Sequence, residues 1–129
     1  MDAVDTNVVV RYLTNDHPQQ SARARKVVDA QDVWVPTSVL LETEWVLRNV
    51  YRYTKAQIVG ALRGFAGLPG VVLENPTLAA QALYWLEQGL DFADALHLGA
   101  SAHCDAFVTF DTDLSKTARK AGAGEVRPP

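Results

Sequence analysis

The sequence predicts an α/β fold with a mainly parallel sheet of four to five strands that helices cover on both faces. Short apolar runs alternate with longer stretches of helical periodicity along the chain, which indicates strands separated by helices. Strands joined in this way need crossover connections and therefore run parallel. The length of 129 residues is typical of one domain and allows a core without disulfides or metal. We therefore expect a single domain over residues 1–129.

The first half of the chain is predicted to contain two strands and four helices. Ala3-Val4 forms the first strand, and a helix over 6–14 follows it. Asp16 and Pro18 suit the start of the next helix. The remaining elements are that helix over 18–30, a strand at Val33-Trp34-Val35 and helices over 38–52 and 55–66, the last ended by the turn Gly67-Leu68-Pro69-Gly70.

The second half continues the alternation. Asn75-Pro76 suits a helix start, and Gly122 suits a helix C-cap. The elements in order are a strand at Val71-Val72-Leu73, helices over 77–89 and 92–104, a strand at 106–110, a helix over 112–121 and a short fifth strand at Glu125-Val126-Arg127.

Composition and charge exclude several classes of protein. Apolar residues make up 48% and charged residues 21%, and no apolar run approaches the ~18 residues that span a bilayer. We expect a soluble protein with no membrane contact. The first residues lack the pattern of a secretory signal and Cys104 has no partner, which favours a reducing cytoplasm. A net charge of −3 argues against a broad basic surface for duplex DNA.

Two aspartates directly follow predicted strands. Asp5 follows the first strand, Asp111 follows the strand at 106–110, and Asp113 comes two residues later. In parallel α/β sheets, ligands bind beyond the carboxyl ends of the strands. Either aspartate would also suit the N-cap of the helix that follows it. Thr6 and Asn7 offer alternative caps for the first helix, which favours a functional role for Asp5.

A third aspartate lies in the first turn of an apolar helix. Asp94 is flanked by Ala93, Ala95 and Leu96, which predicts a partly buried carboxylate. Such a group is costly without a cation. Asp91, three residues earlier, is predicted to cap the helix.

Glu42 and Glu44 lie two residues apart on one helix and so point to nearly opposite sides. Glu44 has Arg48 four residues on, which predicts a surface ion pair. The helical neighbours of Glu42 form a mostly buried stripe without a base, so its charge must be compensated from outside the helix. Those neighbours are Ser38, Val39, Trp45, Val46 and Asn49.

The unexplained acids form a candidate metal site. They are Asp5, Glu42, Asp94 and Asp111, with Asp113 as a fifth candidate. Converging carboxylates repel one another unless a divalent metal is present, and hard oxygen ligands favour Mg²⁺ or Mn²⁺ over zinc. Such ions can activate a water, orient a phosphodiester and stabilise charge on the leaving oxygen.

Histidine and cysteine do not form a rival site. His103 and Cys104 are adjacent, a spacing that suits neither zinc nor a nucleophile pair. We expect Cys104 in the core, His97 on a helix surface or interface, and His17 on a turn. The basic residues Arg23, Arg25, Lys26, Lys116, Arg119 and Lys120 are read as solvated helix faces, with RNA phosphate contacts as the alternative, and Arg11 is expected near the cleft.

Four segments together resemble the PIN-domain ribonucleases, and most closely the VapC toxins of bacterial and archaeal toxin–antitoxin pairs. They occur in the order typical of that family and span nearly the whole chain. The segments are Val4-Asp5-Thr6-Asn7 with Val-Val-Val-Arg-Tyr-Leu, Leu40-Leu41-Glu42-Thr43-Glu44-Trp45-Val46-Leu47, Asp91-Phe92-Ala93-Asp94-Ala95-Leu96-His97 and Val108-Thr109-Phe110-Asp111-Thr112-Asp113-Leu114.

The resemblance implies a three-layer α/β/α PIN-like domain and a Mg²⁺- or Mn²⁺-dependent endoribonuclease. It implies that Asp5, Glu42, Asp94 and Asp111 are catalytic. Metal binding falls to Asp5, Asp94 and Asp111, with Glu42 and Asp113 as further candidates. Thr6, Asn7 and Thr109 match residues that support the acids in the family, although local capping would also explain Thr6 or Asn7.

The resemblance also implies partners. It implies a toxin that inhibits translation, a homodimer, and a cognate VapB-like antitoxin that covers the active site, with DNA bound only through the antitoxin. Large apolar residues compatible with such interfaces are Trp34, Trp45, Leu47, Tyr51 and Tyr53, although core packing accounts for most of them.

Three alternative functions were weighed. A haloacid-dehalogenase-like phosphatase needs a second Asp two residues after the first, where Asn7 stands. A receiver domain needs its acceptor Asp at the end of a central strand, whereas the mid-chain acid is Glu42 on a helix. A catalytically silent PIN-fold module for binding or dimerisation is the third, and the intact acid set speaks against it.

Overall fold

In the computed structural model, which describes residues 1–129, seven helices alternate with five short strands. Their bounds are β1 (Asp2–Ala3), α1 (Thr6–Thr14), α2 (Pro18–Ala30), β2 (Val33–Val35), α3 (Thr37–Asn49), α4 (Lys55–Ala66), β3 (Val71–Leu73), α5 (Pro76–Glu87), α6 (Phe92–Ala100), β4 (Phe107–Val108), α7 (Thr112–Ala121) and β5 (Val126–Arg127).

The strands pair only in parallel, which confirms the predicted α/β class. β2 lies between β1 and β3, with Val33 opposite both Asp2 and Val71. β4 and β5 form a second parallel pair with Phe107 opposite Val126. The chain divides into two compact units, the N-terminal unit Met1–Pro76 and the C-terminal unit Thr77–Pro129.

The core of the N-terminal unit forms around β2. Val33 and Val35 are fully buried, because β2 is paired on both edges. Helices α3 and α4 contribute further fully buried residues, among them Leu47, Leu62 and Phe65. The ring of Phe65 meets that of Tyr12 edge to face, with centroids 5.7 Å apart. This packing holds α1, and with it the turn after β1, in a defined position.

The core of the C-terminal unit forms from α5, α6 and α7. Phe92 and Ala95 of α6 and Ala82 of α5 are buried, as is Ala118 of α7. Gly122 ends α7 with φ 67°, the left-handed conformation that favours glycine at this position. The predicted C-cap is therefore confirmed.

Three predicted helices and three predicted strands have different ends in the structure. Strand β1 covers Asp2–Ala3 rather than Ala3-Val4, and β5 begins at Val126 rather than Glu125. Helix α3 stops at Asn49 rather than 52, and Arg52 takes a left-handed φ of 58°. Helix α5 covers Pro76–Glu87 rather than 77–89, and Gly89 follows it with φ 106°. Helix α6 stops at Ala100 rather than 104, and β4 covers two residues rather than five. None of the helices combines the length and apolar character needed to cross a membrane.

Candidate functional site

Asp5 lies at the junction between β1 and α1. The backbone N–H of Val4 donates to the carbonyl of Trp34 at 3.0 Å, so sheet pairing holds the chain up to this point. Asp5 is itself the N-cap of α1, and its Oδ1 accepts from the backbone N–H of Thr6 at 2.7 Å. The sequence left the cap of this helix open between Asp5, Thr6 and Asn7, and because α1 begins at Thr6 the cap is Asp5. The side chain of Asp5 is nevertheless exposed, which leaves its carboxylate accessible to a ligand.

Thr6 and Asn7 differ in environment. Thr6 is 4% exposed, whereas Asn7 is exposed. Asn7 and Arg11 of α1 line a groove of about 310 Å³ together with α2 residues that include Gln20 and Arg23. The side-chain amide of Asn7, the residue after Thr6, is therefore open to solvent. The role of Asn7 in supporting the acids stays a prediction.

The two glutamates of α3 have environments opposite to those predicted. Glu42 is exposed, and Glu44 is 2% exposed. The buried face of α3 contains Leu40, Thr43, Glu44 and Leu47, which follow the spacing of one helix face. Glu42 lies outside that face. Trp45, which was assigned to a buried stripe, is 53% exposed.

Arg48 compensates the buried charge of Glu44. Its Nε donates to Oε2 at 2.8 Å and its Nη2 donates to Oε1 at 3.2 Å. The predicted Glu44–Arg48 pair is confirmed, but its surface location is wrong. Glu42 has no hydrogen bond or ion pair within the protein, so it is the glutamate of this helix whose carboxylate is available to a ligand.

Four aspartates line one hollow of the C-terminal unit, with a volume of about 150 Å³. Asp91 and Asp94 come from the start of α6, and Asp111 and Asp113 come from the start of α7. The remaining lining residues are Gly89, Leu90, Leu114 and Thr117. The sequence analysis singled out Asp94 and Asp111 and kept Asp113 as a candidate, and all three face this hollow.

Asp94 is the most strongly perturbed acid of the hollow. It is half-buried, as predicted from its apolar neighbours. Burial raises the pKa of Asp94, and the nearby carboxylates of Asp91 and Asp111 raise it further, while His97 opposes them. Desolvation and like charge both disfavour the ionised form. A cation bound in the hollow would relieve this repulsion.

Asp111 is held at the start of α7 by local hydrogen bonds. Its Oδ1 accepts from the backbone N–H of Leu114 at 3.0 Å, and its own backbone N–H donates to Oγ1 of Thr109 at 3.0 Å. Asp111 therefore caps α7 while it lines the hollow. Asp91 occupies the N-cap position of α6 without a side-chain hydrogen bond, so its carboxylate is not used for capping.

The donor chemistry of the hollow fits a hard divalent cation, because carboxylate oxygens are the ligands that Mg²⁺ and Mn²⁺ prefer. Nowhere in the structure, however, do three or more His, Cys, Asp or Glu side chains form a group that could hold a metal ion. Asp94 and Asp111 therefore supply acidic donors that still need further ligands.

The remaining polar candidates take structural roles. Cys104 is exposed, so the expectation of a core thiol is wrong; it follows the end of α6 at Ala100. His97 is exposed, as predicted, and stacks on Phe107 with planes 8° apart. His17 caps α2, and its Nδ1 accepts from the backbone N–H of Gln20 at 3.1 Å.

Arg11 belongs to a polar network that the sequence analysis missed. Its Nη1 lies 3.0 Å from Oδ1 of Asp16 and 3.1 Å from the hydroxyl of Tyr51. The Tyr51 hydroxyl donates to Asp16 at 2.7 Å, and this bond, with others from Thr14 and Arg11, holds the pKa of Asp16 at about 2. The arginine is therefore already paired. The network could not be found from local sequence patterns, because Tyr51 is 35 residues from Asp16 in the chain.

The chain is similar to a known protein family and to solved structures. Residues 3–120 match the PIN domain family. No curated protein matches the sequence. Among solved structures, VapC20 of Mycobacterium tuberculosis, described as a toxin that cleaves the sarcin–ricin loop, is 21% identical with a TM-score of 0.45, over 90% of this chain and 94% of that one.

Proposed function

Because the chain belongs to the PIN-domain family, as the match over residues 3–120 shows, we propose that it is a Mg²⁺- or Mn²⁺-dependent endoribonuclease. Its two units act as one nuclease domain over residues 1–129. The observation that carries the proposal is the acidic hollow, in which Asp94 and Asp111 lie together and the pKa of Asp94 is raised by burial and by the neighbouring carboxylates. Like charges in such a hollow favour binding of a cation, with further ligands supplied from outside the hollow.

Four acids carry the proposed reaction. Asp5, Asp94 and Asp111 hold the metal, and Glu42 binds it directly or through water. Asp113 is a candidate ligand, because it faces the same hollow as Asp94. Support comes from the four sequence segments that contain these acids and from their accessibility, since Asp5, Glu42 and Asp111 are exposed.

The chain's own residues position and orient the acids. Asp111 is fixed by Leu114 and Thr109 on either side, so its free carboxylate oxygen stays directed from a rigid helix start. Asp5 is fixed in the same way by its bond to Thr6. When bound, Mg²⁺ or Mn²⁺ would supply activation of a water molecule and stabilisation of the charge on the leaving oxygen. Net hydrolysis adds one water across a phosphodiester P–O bond and needs no protein nucleophile.

The proposed biological role is that of a VapC-like toxin that inhibits translation by cutting RNA in the cytoplasm. A VapB-like antitoxin and a second copy of the chain are the proposed partners, with DNA bound only through the antitoxin. Trp45 is the apolar interface candidate that remains exposed, at 53%, whereas Leu47 is fully buried. Trp34, Tyr51 and Tyr53 are half-buried.

The test is cleavage of RNA by purified protein while Mn²⁺ or Mg²⁺ is titrated. Wild type should cleave with metal and stop when the metal is chelated. Asp5→Asn and Asp94→Asn should each lower the rate by at least about 10²-fold, and the double variant should lose little more, because residues that act as a unit are not additive. Glu125→Gln, at an exposed glutamate that is not among the proposed site residues, is the matched control for Glu42→Gln.

Cleavage that survives both chelation and Asp5→Asn would exclude the proposed mechanism. Independent, multiplicative losses from Asp5→Asn and Asp94→Asn would show that the two acids do not serve one site. Loss of RNA cleavage with retained antitoxin binding in Asp94→Asn would exclude the catalytically silent alternative.

A further inference from the structure

Phe110 is the most exposed large hydrophobic residue in the protein, at 87% of its surface. It immediately precedes Asp111, which lines the acidic hollow. Val108, two residues earlier and the last residue of β4, is 53% exposed. An apolar surface therefore lies in the chain directly beside the acids.

The backbone on both sides of Phe110 is held in place. The N–H of Thr109 donates to the carbonyl of Arg127 at 3.0 Å, which extends the pairing of β4 with β5. The N–H of Asp111 donates to Oγ1 of Thr109 at 3.0 Å, and Asp111 then caps α7. The phenyl ring is thus presented to solvent from a fixed point of the backbone and not from a loose loop.

A single exposed hydrophobic side chain is ordinary on a protein surface. Phe110 differs in its position, because it lies beside four aspartates that repel an approaching polyanion such as RNA. A bound cation would relieve only part of this repulsion, so an interaction that does not depend on positive charge would add affinity next to these acids. Stacking of a nucleobase on an aromatic ring is such an interaction, and proteins use it widely to hold single-stranded RNA.

We propose that Phe110 is a positioning residue on which a base of single-stranded RNA stacks, next to the phosphodiester that the acids address. The inference rests on the proposed nuclease function. Consecutive Cα atoms are about 3.8 Å apart, so a strand whose base stacks on Phe110 would pass close to Asp111. The same contact would exclude a continuous duplex, whose bases are stacked on one another.

The experiment uses variants that change the ring but not the backbone. Phe110→Leu keeps an apolar side chain and removes the π face, and Phe110→Tyr keeps the π face. Tyr84→Leu is the matched control, because Tyr84 is an aromatic residue of the same unit that is 49% exposed and lies on α5, which contributes no residue to the hollow, whereas Phe110 adjoins Asp111. Thermal unfolding checks that each variant folds.

Two readouts separate stacking from chemistry. In the first, cleavage of a fluorogenic single-stranded RNA gives KM and kcat with Mn²⁺. In the second, each change is placed in the Asp94→Asn protein, and binding of a 12-nucleotide RNA that contains 2-aminopurine is followed by fluorescence. Loss of base stacking should weaken binding by about 5- to 150-fold in Phe110→Leu, raise KM more than it lowers kcat, and abolish the quenching of 2-aminopurine. Phe110→Tyr and Tyr84→Leu should bind as tightly as their parent.

The proposed nuclease function and the stacking inference are contradicted by different measurements. Absence of metal-dependent cleavage in wild type would overturn the proposed function and is seen in the first readout alone. Equal RNA binding and equal quenching in Phe110→Leu and its parent would overturn the stacking inference even if cleavage is normal. Failure of the Asp94→Asn parent itself to bind the RNA would overturn it as well.

Discussion

The buried pair of Glu44 and Arg48 allows a sharp test of how α3 is oriented. Replacing Arg48 with Met removes the guanidinium that donates twice to the Glu44 carboxylate, at 2.8 and 3.2 Å. The carboxylate is 2% exposed and would then be buried without its cation. We expect Arg48→Met to lower the free energy of unfolding markedly at neutral pH.

The expected magnitude follows from the burial of the two partners. Loss of one partner from a fully buried pair costs about 3–5 kcal/mol. Arg48 keeps 44% of its side-chain surface exposed, so water screens part of the interaction, and we expect about 2–3 kcal/mol. A surface pair at the same spacing, as the sequence indicated, would contribute only about 0.3–0.5 kcal/mol.

Urea denaturation at neutral pH, followed by tryptophan fluorescence, measures this difference. Glu42→Gln on the same helix is the control and should change stability by less than about 0.5 kcal/mol, because Glu42 is exposed and unpaired. The double variant Glu44→Leu with Arg48→Met should recover most of the loss, since an apolar pair can replace a buried ion pair at little cost.

A loss below about 0.5 kcal/mol in Arg48→Met would refute the burial of Glu44. An equal loss in Glu42→Gln would show that the two glutamates are interchanged. Either result would reverse the assignment of Glu42 as the available acid of α3.

Three further predictions concern other parts of the chain. Asp111→Asn keeps an N-cap for α7 and should leave stability unchanged while RNA cleavage falls. Asp111→Ala should lose cleavage and also about 0.5–2 kcal/mol of stability. Cleavage assays and urea denaturation thus separate the role of Asp111 in the reaction from its role as a helix cap. The pKa of Asp16 is held at about 2, below its ordinary 3.8, so the stabilisation from its bond with Tyr51 is fully present above pH 3.8 and is lost as the pH falls toward 2. The melting temperature of Asp16→Asn should therefore lie below that of wild type at neutral pH and converge with it near pH 2. A difference in melting temperature that stays constant with pH would contradict this. Gly70→Ala should cost about 1–3 kcal/mol, because its Cβ would lie 2.9 Å from a backbone oxygen; an unchanged urea midpoint would show that this turn can shift.

The helices were predictable where polar residues mark their ends. Helices α1, α2, α4 and α7 have the predicted bounds, and α4 begins with a capping box in which Thr54 and Gln57 exchange hydrogen bonds. Helix α6 was predicted to extend to residue 104 but ends at Ala100, because residues 101–104 continue its apolar pattern only weakly. The backbone there tightens into turns in which Ser101 and Cys104 donate to carbonyls three residues back.

The site was predictable as a set of residue types but only partly as geometry. Asp94 and Asp111 line one hollow, as their places at helix starts indicate. The burial of Glu44 and the exposure of Glu42 were not predictable from charge alone, because a carboxylate can be buried when a guanidinium on the next turn neutralises it. Convergence of Asp5 and Glu42 with the other acids stays a prediction, which the double variant of Asp5 and Asp94 tests.

The exposed thiol of Cys104 has a practical consequence for any study of assembly. It is the one cysteine of the chain, so every disulfide it forms must join two molecules, and a covalent pair in oxidising buffer would imitate a dimer on a non-reducing gel. Under reducing conditions the same thiol accepts a single maleimide dye per chain. Counting photobleaching steps of that dye would then report directly how many copies of the protein one complex contains.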